Sequence, residues 1–268
     1  MFLLMGIDDQ DGTGGIEVVK AKKIEGENRH NPTGKRTDTM ILCKFNFDTG
    51  DITMVSIPRD TRVHIRGRNG QEKIAHAHAY GGPYLAIKTV RDLLGIDLNY
   101  YVTVDYKAVK TIVDAIGGVE IDVPRRMYYR DPLAKPPLVI DLQPGLQVLD
   151  GDKSLQYLRF RSYPEGDVGR VEAQQVFMKE FIKQALQLKN ISKIPTMIKT
   201  YFDYIDTNIP ISVALKAVSV ANKIDMENIK TGRIPGEGKY IGSISYYIHD
   251  EIGTKSMIEE LFPEFIIK

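Results

Sequence analysis

The feature that most restricts the fold is a succession of an apolar segment, a segment of helical periodicity and a second apolar segment. The first, Tyr100–Val104, and the last, Val119–Val123, are typical of buried strands. Between them, a helix is predicted to begin at Asp105 and to end at Gly117 and Gly118, with its apolar residues on one stripe. This order is typical of a crossover connection, so it predicts an α/β fold in which helices cover a sheet.

Other segments of the chain fit the same fold class. Strands are predicted at Phe2–Ile7, Thr39–Phe47, Asp51–Ile57 and Asn228–Ile234. Helices are predicted at Pro83–Leu94, Gly151–Arg159, Val168–Leu188, Ile194–Tyr204, Val213–Asn222 and Glu251–Phe262. The proline-rich segment from Arg125 to Gly145 predicts a long loop with at most short strands. The length of 268 residues favours one domain over residues 1–268.

Composition excludes several classes of function. The formal net charge is only +1, so no overall field would recruit nucleic acid, and we expect no nucleic-acid partner. The single cysteine, Cys43, lies in an apolar run and predicts a buried, inert thiol. The opening run Met1–Met5 is too short to span a bilayer. Because a core strand follows at once, we expect that natural sequence upstream has been removed.

Four polar motifs rich in arginine and aspartate stand at the ends of predicted strands, where open α/β sheets place ligands. They are Gly6-Ile7-Asp8-Asp9, Lys35-Arg36-Thr37-Asp38, Pro58-Arg59-Asp60-Thr61, and Arg159-Phe160-Arg161 with the segment Gly166–Gln175. Strand alternation predicts that Arg36 and Asp38 share a face, and Arg170 and Gln174 are one helical turn apart. Arginine binds phosphate through paired charged hydrogen bonds. Arginines together with carboxylates therefore indicate a pyrophosphate bridged by a cation.

Each motif also has an ordinary structural interpretation. Arginine and aspartate that are close in sequence usually form solvated surface pairs. A loop aspartate such as Asp8 or Asp167 is more often a turn or helix cap than a metal ligand. His76 and His78 have a spacing that could bind a metal, but packing or positioning roles are expected for them. The run Gly12–Gly15 lacks the lysine of a phosphate-binding loop and is expected to be a flexible turn.

The ordered set of motifs resembles one known family. The set is strand-Gly-Ile-Asp, Lys-Arg-Thr-Asp-Thr, Ser-Ile-Pro-Arg-Asp, Lys-Ile-Ala-His-Ala-His-Ala-Tyr-Gly-Gly, Asp-Ala-Ile-Gly-Gly-Val-Glu-Ile-Asp-Val-Pro and Arg-Phe-Arg followed by Asp-Val-Gly-Arg. In this order the motifs resemble the LytR-CpsA-Psr family, and the resemblance extends from Leu3 to Lys179. Past Gln187 the likeness is limited to the expected helices and a closing strand.

The resemblance implies a fold, an activity and a location. The fold is a three-layer α/β/α sandwich with a central mixed sheet. The activity is a magnesium-dependent phosphotransferase, with manganese as an alternative ion, that moves teichoic acid, capsule or a related glycopolymer from a polyprenyl pyrophosphate carrier to peptidoglycan. The location is the extracytoplasmic face of the cell membrane, where an upstream transmembrane helix tethers the domain.

The resemblance also implies roles for residues. Asp8 and Asp38 are the expected metal ligands, with Asp9 beside Asp8 as an alternative. The pyrophosphate clamp is expected to consist of Arg36, Arg59, Arg159, Arg161, Arg170 and Gln174, with Lys73 and Asp60 as supporting members. Arg59, Asp60 and Asp167 are the expected catalytic residues, and Asp60 or Asp167 would assist the acceptor hydroxyl. Ala173 departs from the family, because an arginine is expected there.

An apolar slot is needed for the carrier lipid. The residues Ile194, Met197, Ile198, Tyr201 and Phe202 have helical spacing and could line it, although ordinary core packing explains them equally well. Two other functions use the same polar residues. One is a pyrophosphate hydrolase in which water attacks, and the other is a non-catalytic module that binds anionic polymer or lipid.

Overall fold

The computed structural model describes residues 1–7, 34–133, 137–164, 166–187, 190, 194–201 and 205–267. Asp8, Asp9, the predicted turn Gly12–Gly15 and Phe202 lie outside the described residues. Asp167 begins a helix, but its side chain is outside the description as well.

The strands are numbered in chain order. They are β1 (Phe2–Ile7), β2 (Thr37–Phe45), β3 (Ile52–Ser56), β4 (Arg62–His64), β5 (Gln71–Lys73), β6 (Tyr101–Asp105), β7 (Val119–Val123), β8 (Met127–Asp131), β9 (Leu138–Leu142), β10 (Gly145–Leu149), β11 (Asp206–Thr207), β12 (Lys230–Arg233), β13 (Gly236–Ile241) and β14 (Ile244–His249). The helices are α1 (His76–Leu94), α2 (Tyr106–Ala115), α3 (Gly151–Arg159), α4 (Asp167–Ala185), α5 (Ile194–Tyr201), α6 (Ile211–Ser219) and α7 (Glu251–Leu261). The predicted strands and helices are confirmed, with ends that shift by a few residues, except that α1 begins seven residues before Pro83 and that the predicted end of the helix Ile194–Tyr204 lies outside the described residues.

The central sheet is mixed, as expected. Its strand order is β11-β6-β1-β2-β3-β12. The pairs β1 with β6 and β3 with β12 are parallel, and the pairs β1 with β2, β2 with β3 and β6 with β11 are antiparallel. The tight connection between β2 and β3 depends on Gly50, which has a φ of 83° and would place a Cβ atom 2.5 Å from the carbonyl oxygen of Lys223.

Alternation along the strands gives the sheet two buried faces. Leu3 and Met5 of β1 pack in a core with α1 and α7, together with Leu42 of β2. The residues between them face the other way, where Leu4 and Ile41 lie on the side covered by α2 and α4. The three-layer α/β/α sandwich is therefore confirmed. None of the helices in the described part of the chain has the length and apolar character needed to cross a bilayer.

The crossover prediction was wrong for β7. That strand does not join the central sheet but pairs with β10. The reason is that both edges of β6 are already occupied, by β1 on one side and by β11 on the other. The inward side chains Val119, Ile121 and Val123 of β7 instead form a second core with Tyr157 of α3 and Phe177 of α4.

Two hairpins were not predicted in full. The segment from Arg125 to Gly145, expected to be mainly loop, contains the antiparallel pair β8 and β9, whose inward residues Met127 and Ile140 join the second core. The pair β13 and β14 near the end of the chain is also antiparallel. Its first strand is exposed along its whole length, so it lacks the alternating burial on which strand prediction depends.

Helix α1 begins before the predicted start. Its backbone is non-helical at Gly81 and Gly82, where Gly82 has a φ of 63°, and Pro83 opens the second part. Gly95 ends the helix in a left-handed conformation, as the sequence predicted. The first part of α1 is placed so that the amide of Gly34 donates to the carbonyl of Ala79 at 3.2 Å, which anchors the residues that lead into β2.

Candidate active site

Several strands of the central sheet begin or end along the same edge, the one formed by strand ends. The last residues of the parallel strands β1 and β6 pair there, Ile7 with Asp105, and β2 begins at the same edge with Thr37. Because β3 is antiparallel to β2, its end at Ser56 points towards this edge too. The motif that contains Arg59 follows β3, so three of the four polar motifs reach the edge through the sheet topology.

A β-bulge at this edge determines where Asp38 points. Gly6 pairs with Thr39 and Ile7 pairs with Thr37, so Asp38 is the extra residue on β2. Unbroken alternation from Met40 would turn Asp38 towards α1. The bulge instead allows Asp38 to line a cavity on the α2 and α4 side of the sheet, beside Thr39.

The carboxylate of Asp38 is the centre of the polar cluster. Arg59 donates from Nη1 to Oδ1 of Asp38. Arg161 donates from Nη2 to both carboxylate oxygens, at 3.1 and 3.2 Å, and the hydroxyl of Tyr106 donates to Oδ2 at 3.1 Å. Only 13% of the Asp38 side chain is exposed, as against 24% of Arg59 and 53% of Arg161, so water competes more for the hydrogen bonds from Arg161 than for that from Arg59.

The surroundings of Asp38 favour its ionised form. Burial by itself raises the pKa of this carboxyl group. The positive charges of Arg161, Arg59 and Arg170, together with the hydrogen bond from Tyr106, outweigh burial and lower the pKa of Asp38 below its ordinary value. Asp38 therefore remains an anion that holds several cationic side chains close to one another.

Arg159 joins the cluster through an aromatic ring. Its guanidinium carbon lies 4.7 Å from the ring centroid of Tyr106, which is within the range of a cation–π contact. Arg159 ends α3, and the next residue, Phe160, is extended and buried. Phe160 packs in the second core and thereby fixes the backbone between Arg159 and Arg161, both of which line the same cavity.

Helix α4 contributes two buried polar side chains to that cavity. Arg170 is 4% exposed and Gln174 is 6% exposed, and the two are one helical turn apart, as the sequence indicated. The helix begins after Gly166, which has a φ of 61° that favours glycine. Ala173, where the family resemblance suggested an arginine, is buried in the second core near Phe177. A charged side chain would not be accommodated there without rearrangement.

Asp60 and Lys73 form the flank of the cluster. Nζ of Lys73 lies 2.9 Å from Oδ1 of Asp60, and Nε of Arg59 lies 3.9 Å from the same oxygen. The amide of Ala75 donates to the carbonyl of Arg59 at 3.1 Å, which ties the end of β5 to the loop after β3. Through Asp60, these ion pairs connect Arg59 to Lys73 of β5.

Arg36 is placed differently from the other arginines of the predicted clamp. It precedes β2, which begins at Thr37, and its side chain is exposed. The prediction that Arg36 and Asp38 share a strand face was wrong, because Arg36 lies outside β2 and a bulge interrupts the alternation at Asp38. Arg36 is two residues from Asp38 but does not belong to the cavity wall.

The two histidines contact neighbouring groups of the protein. His76 contacts Glu72 at 3.1 Å, and Nδ1 of buried His78 lies 2.8 Å from the carbonyl oxygen of Lys35. Burial lowers the pKa of His78 and favours its neutral form. Cys43 is buried, as predicted, and burial raises the pKa of its thiol to about 12, which disfavours the reactive thiolate. Among the described residues, no group of three acidic, histidine or cysteine side chains is arranged to hold a metal ion.

An apolar cavity extends from the polar cluster into the protein. We define the apolar cavity by the side chains that line it beneath the cluster, from the sheet and from α2, α3 and α4. They are Leu4, Ile41, Val104, Val109, Ile112, Val113, Leu158, Phe177, Met178 and Phe181. Its volume is about 190 Å³, and Asp38, Arg159, Arg161, Arg170 and Gln174 stand at its polar end. Of the residues predicted to line a lipid slot, Ile194, Met197 and Ile198 do not contribute to this wall, and Phe202 and the side chain of Tyr201 lie outside the described part of the chain.

Tyr106 is the member of the cluster that sequence reasoning missed. Its hydroxyl binds Asp38 and its ring supports Arg159, yet the sequence placed it only within the helix predicted to begin at Asp105. Tyr106 is the first residue of α2, directly after Asp105, whose side chain accepts from the amide of Ala108 as a helix cap. An aromatic hydroxyl at the first helical position, beside a strand end, was the available signal.

Comparison with known proteins shows which family this chain resembles. Residues 1–262 match the LytR_cpsA_psr family. The chain is 31% identical over 245 residues to an uncharacterized protein of Staphylococcus aureus, covering 91% of this chain and 56% of that protein. It is 28% identical over 260 residues to the polyisoprenyl-teichoic acid–peptidoglycan teichoic acid transferase TagU of Bacillus subtilis, covering 97% of this chain and 76% of TagU.

A solved structure shows the same architecture. The crystal structure of Bacillus subtilis TagV superposes with a TM-score of 0.76 and 26% identity, covering 97% of this chain and 96% of TagV. This chain spans only 56% of the length of the Staphylococcus aureus relative. The family match over residues 1–262, the shared fold and the arginine cluster at the mouth of an apolar cavity lead to one conclusion: the chain belongs to the LytR-CpsA-Psr family.

Proposed function

We propose that this chain is a phosphotransferase that moves a glycopolymer from a polyprenyl diphosphate carrier onto peptidoglycan. The observation that carries the proposal is a cluster of arginines around Asp38 at the polar end of an apolar cavity. A diphosphate linked to a prenyl chain has the same two parts, an anionic head and an apolar tail. TagU of Bacillus subtilis, a relative across 97% of this chain, is named as a transferase of teichoic acid to peptidoglycan.

The cluster is organised before a substrate arrives. Arg59 and Arg161 both donate to Asp38, and the ring of Tyr106 supports Arg159. A guanidinium group presents five N–H donors in a fixed fork, which suits it to bind phosphate oxygens. Side chains that are already held in place lose little conformational entropy when the diphosphate binds. The arginines therefore form a cationic site that favours a doubly anionic head group.

The chemical step is a displacement at phosphorus. A hydroxyl oxygen of the peptidoglycan sugar attacks the phosphorus atom that carries the glycopolymer, and a new phosphorus–oxygen bond forms. The bond from that phosphorus to the bridging oxygen breaks, and polyprenyl monophosphate leaves with the bridging oxygen. Arg59 and Arg161 offset the negative charge that develops on the leaving phosphate. Positioning and charge neutralisation are the main requirements of such a step.

The hydroxyl proton passes to a carboxylate at the edge of the site. We assign this role to Asp60, with Asp167 as the alternative. Asp60 lies beside Arg59 and is held by Lys73 at 2.9 Å, so its carboxylate has a fixed orientation next to the arginine that binds the reacting phosphate. Lys73 thus positions Asp60, and Gln174 and Arg170 complete the wall on the α4 side.

We propose magnesium, or manganese in its place, as the cofactor. Hard oxygen donors fit this ion, which commonly uses one or two carboxylates together with phosphate oxygens of a substrate. Asp38 supplies one carboxylate at the polar end of the cavity, and Asp8, which follows β1, would supply a second. When bound, the ion neutralises charge on the diphosphate. The present partners of Asp38 are hydrogen-bond donors, so we expect the ion and the diphosphate to bind together.

The proposed setting is the extracytoplasmic face of the cell membrane. The donor lipid resides in the membrane and peptidoglycan lies outside it, so the enzyme needs to reach both. We propose that residues 1–268 form one catalytic domain, and that a transmembrane anchor upstream of it tethers the full protein to the membrane.

The test is a transfer assay with defined substrates. A polyprenyl diphosphate that carries a fluorescent saccharide is incubated with peptidoglycan oligomers and magnesium, and products are separated by chromatography. We expect a fluorescent peptidoglycan adduct and an equal amount of polyprenyl monophosphate. Release of saccharide phosphate without an adduct would identify a hydrolase, and binding of the donor without any bond cleavage would identify a non-catalytic module. Both results would contradict the proposal.

A further inference from the structure

A second cavity lies among the elements on the α1 and α7 side of the central sheet. We call it the back cavity and define it by its walls: β4 and β5, the second half of α1, the end of β14, helix α7, and the C-terminal residues Ile266 and Ile267. Its volume is about 670 Å³. The apolar cavity lies on the α2 and α4 side of the sheet, whereas the back cavity lies on the α1 and α7 side.

The back cavity has a mixed chemical character. Its walls contain both basic and acidic side chains. They are Arg62, His64, His249 and Lys255 among the basic residues and Asp92, Glu251 and Glu259 among the acidic residues. Leu93, Ile258 and Ile266 provide an apolar floor. Such walls fit a ligand that carries carboxylate and ammonium groups on short aliphatic side chains.

A strip of side chains joins the back cavity to the active site. Arg62 pairs with Lys73 and His64 pairs with Gln71 in the hairpin of β4 and β5, so all four side chains lie on one face. Arg62, His64 and Gln71 line the back cavity, whereas Lys73 binds Asp60 at 2.9 Å. The ring of Tyr246 lies 5.7 Å from the Arg62 guanidinium and 5.9 Å from the Lys73 ammonium, and it covers the strip between the two sites.

Reaction geometry assigns this route to the acceptor. In a displacement at phosphorus, the attacking oxygen and the leaving oxygen are roughly in line. The leaving group is attached to the lipid, which we place in the apolar cavity on one side of the sheet. The attacking group should therefore approach from the other side, past Lys73 and Asp60, which is the side of the back cavity.

We infer that the back cavity binds the charged peptide carried by the acceptor glycan. This inference rests on the proposed transferase function and specifies its acceptor: the peptide of peptidoglycan carries both carboxylate and ammonium groups, as the walls require. The peptide binds in the back cavity. The sugar to which it is attached extends along the strip to Asp60, the carboxylate that accepts the proton of the attacking hydroxyl. A glycan without peptide has no such anchor and is a poorer acceptor.

Direct binding tests the site. The probe is N-acetylmuramyl pentapeptide, and its dissociation constant is measured by calorimetry on the whole chain. Lys255 is 78% exposed, so Lys255→Glu is expected to fold normally. It reverses one charge in the wall, and we expect roughly fivefold weaker binding. Lys239→Glu is the matched control, since Lys239 lies on exposed β13 outside the back cavity, and it should leave the dissociation constant unchanged.

A kinetic comparison tests the acceptor role. The KM for peptide-stripped glycan is divided by the KM for the same glycan with its peptides. In the wild type this ratio should exceed one severalfold, and Lys255→Glu should lower it while Lys239→Glu should not. A ratio of one in the wild type, or no measurable binding of the muramyl pentapeptide, would overturn the inference and leave the transferase proposal intact. Peptide binding that depends on Lys255, without transfer to either acceptor, would support the binding site and contradict the proposed function.

Discussion

The two cavities of this protein differ in the chemistry of their walls, and therefore in the kind of ligand that each can hold. The apolar cavity has aliphatic and aromatic walls and places its charges at one end, around Asp38. The back cavity distributes charges of both signs over its walls. A long apolar tail gains burial energy only in the first, and a zwitterionic peptide avoids a desolvation penalty only in the second. Under the proposed function, the two sides of the sheet would hold the two substrates of one transfer.

The largest expected effect comes from removing a charge at the polar end of the apolar cavity. Arg59→Ala removes the guanidinium that binds Asp38 and would bind the reacting phosphate. We expect kcat to fall by about 10²–10³, as for loss of a charged donor at a developing anion. Transfer kinetics measure this, with Arg126→Ala as a control, because Arg126 pairs with Asp141 in an exposed position. We expect Arg59→Ala to lower kcat equally with peptide-bearing and peptide-stripped acceptors, whereas Lys255→Glu affects only the peptide-bearing one. An unequal fall in kcat for Arg59→Ala would contradict this contrast between the two cavities.

The stability contribution of Asp38 should depend on pH. Its folded-state pKa is depressed, so its ionised form stabilises the fold above the unfolded-state value of 3.8, and this contribution is lost as the pH falls through the lower folded-state pKa. Asp38→Asn is expected to lower the free energy of unfolding by about 1–3 kcal/mol at neutral pH.

Chemical denaturation with a chelator present measures the difference between the wild type and Asp38→Asn as the pH is lowered. The difference should shrink on acidification. A difference that stays constant down to the acid limit of folding would contradict the prediction. On the back-cavity side, Asp92→Asn should cost less than about 1 kcal/mol, because the pair of Asp92 with Arg66 is exposed.

Filling the apolar cavity should change the preference for lipid length. Val109→Trp places a large ring in the wall between the sheet and α2. We expect the ratio of KM for a long prenyl donor to KM for a short prenyl donor to rise roughly tenfold, because each excluded methylene group loses about 0.8 kcal/mol of burial. Val148→Trp is the control, since Val148 is exposed on β10. If the ratio does not change, the lipid lies elsewhere and the comparison of the two cavities fails.

The smallest expected effect comes from the hydroxyl of Tyr106. Tyr106→Phe removes one hydrogen bond to Asp38 and keeps the ring under Arg159, so kcat/KM should fall by roughly fivefold, which corresponds to about 1 kcal/mol. Tyr106→Leu also removes the ring and should cost about 0.5–1 kcal/mol more. Steady-state kinetics of both variants separate the two roles. Equal losses would show that the ring does not position Arg159.

Much of the fold was predictable because its signals are local. The helix α3 was predicted with its observed ends, Gly151 and Arg159, and β7 was predicted at Val119–Val123. What local periodicity could not predict was the strand that β7 pairs with. That choice depended on β11, a two-residue strand from a distant part of the chain that occupies the edge of β6. Such competition between strands is invisible in a local window.

In the candidate active site, too, local features were predictable and long-range contacts were not. The motifs around Asp38, Arg59, Arg159 and Arg161 were recognised from their residue types and order, and the structure brings these four together. The bulge at Asp38 and the double role of Tyr106 were missed. Both arise from the register between strands and from a contact between the start of one helix and the end of another.

By itself, the sequence determined the elements and the chemical types available at their ends, because periodicity, capping and charge are properties of neighbouring residues. Only the tertiary structure decided which arginines share one carboxylate, which face of the sheet holds the apolar cavity, and that a second cavity lies opposite. The physical reason is that these depend on strand order and register, which result from competition among distant segments for the same edges and the same buried surface.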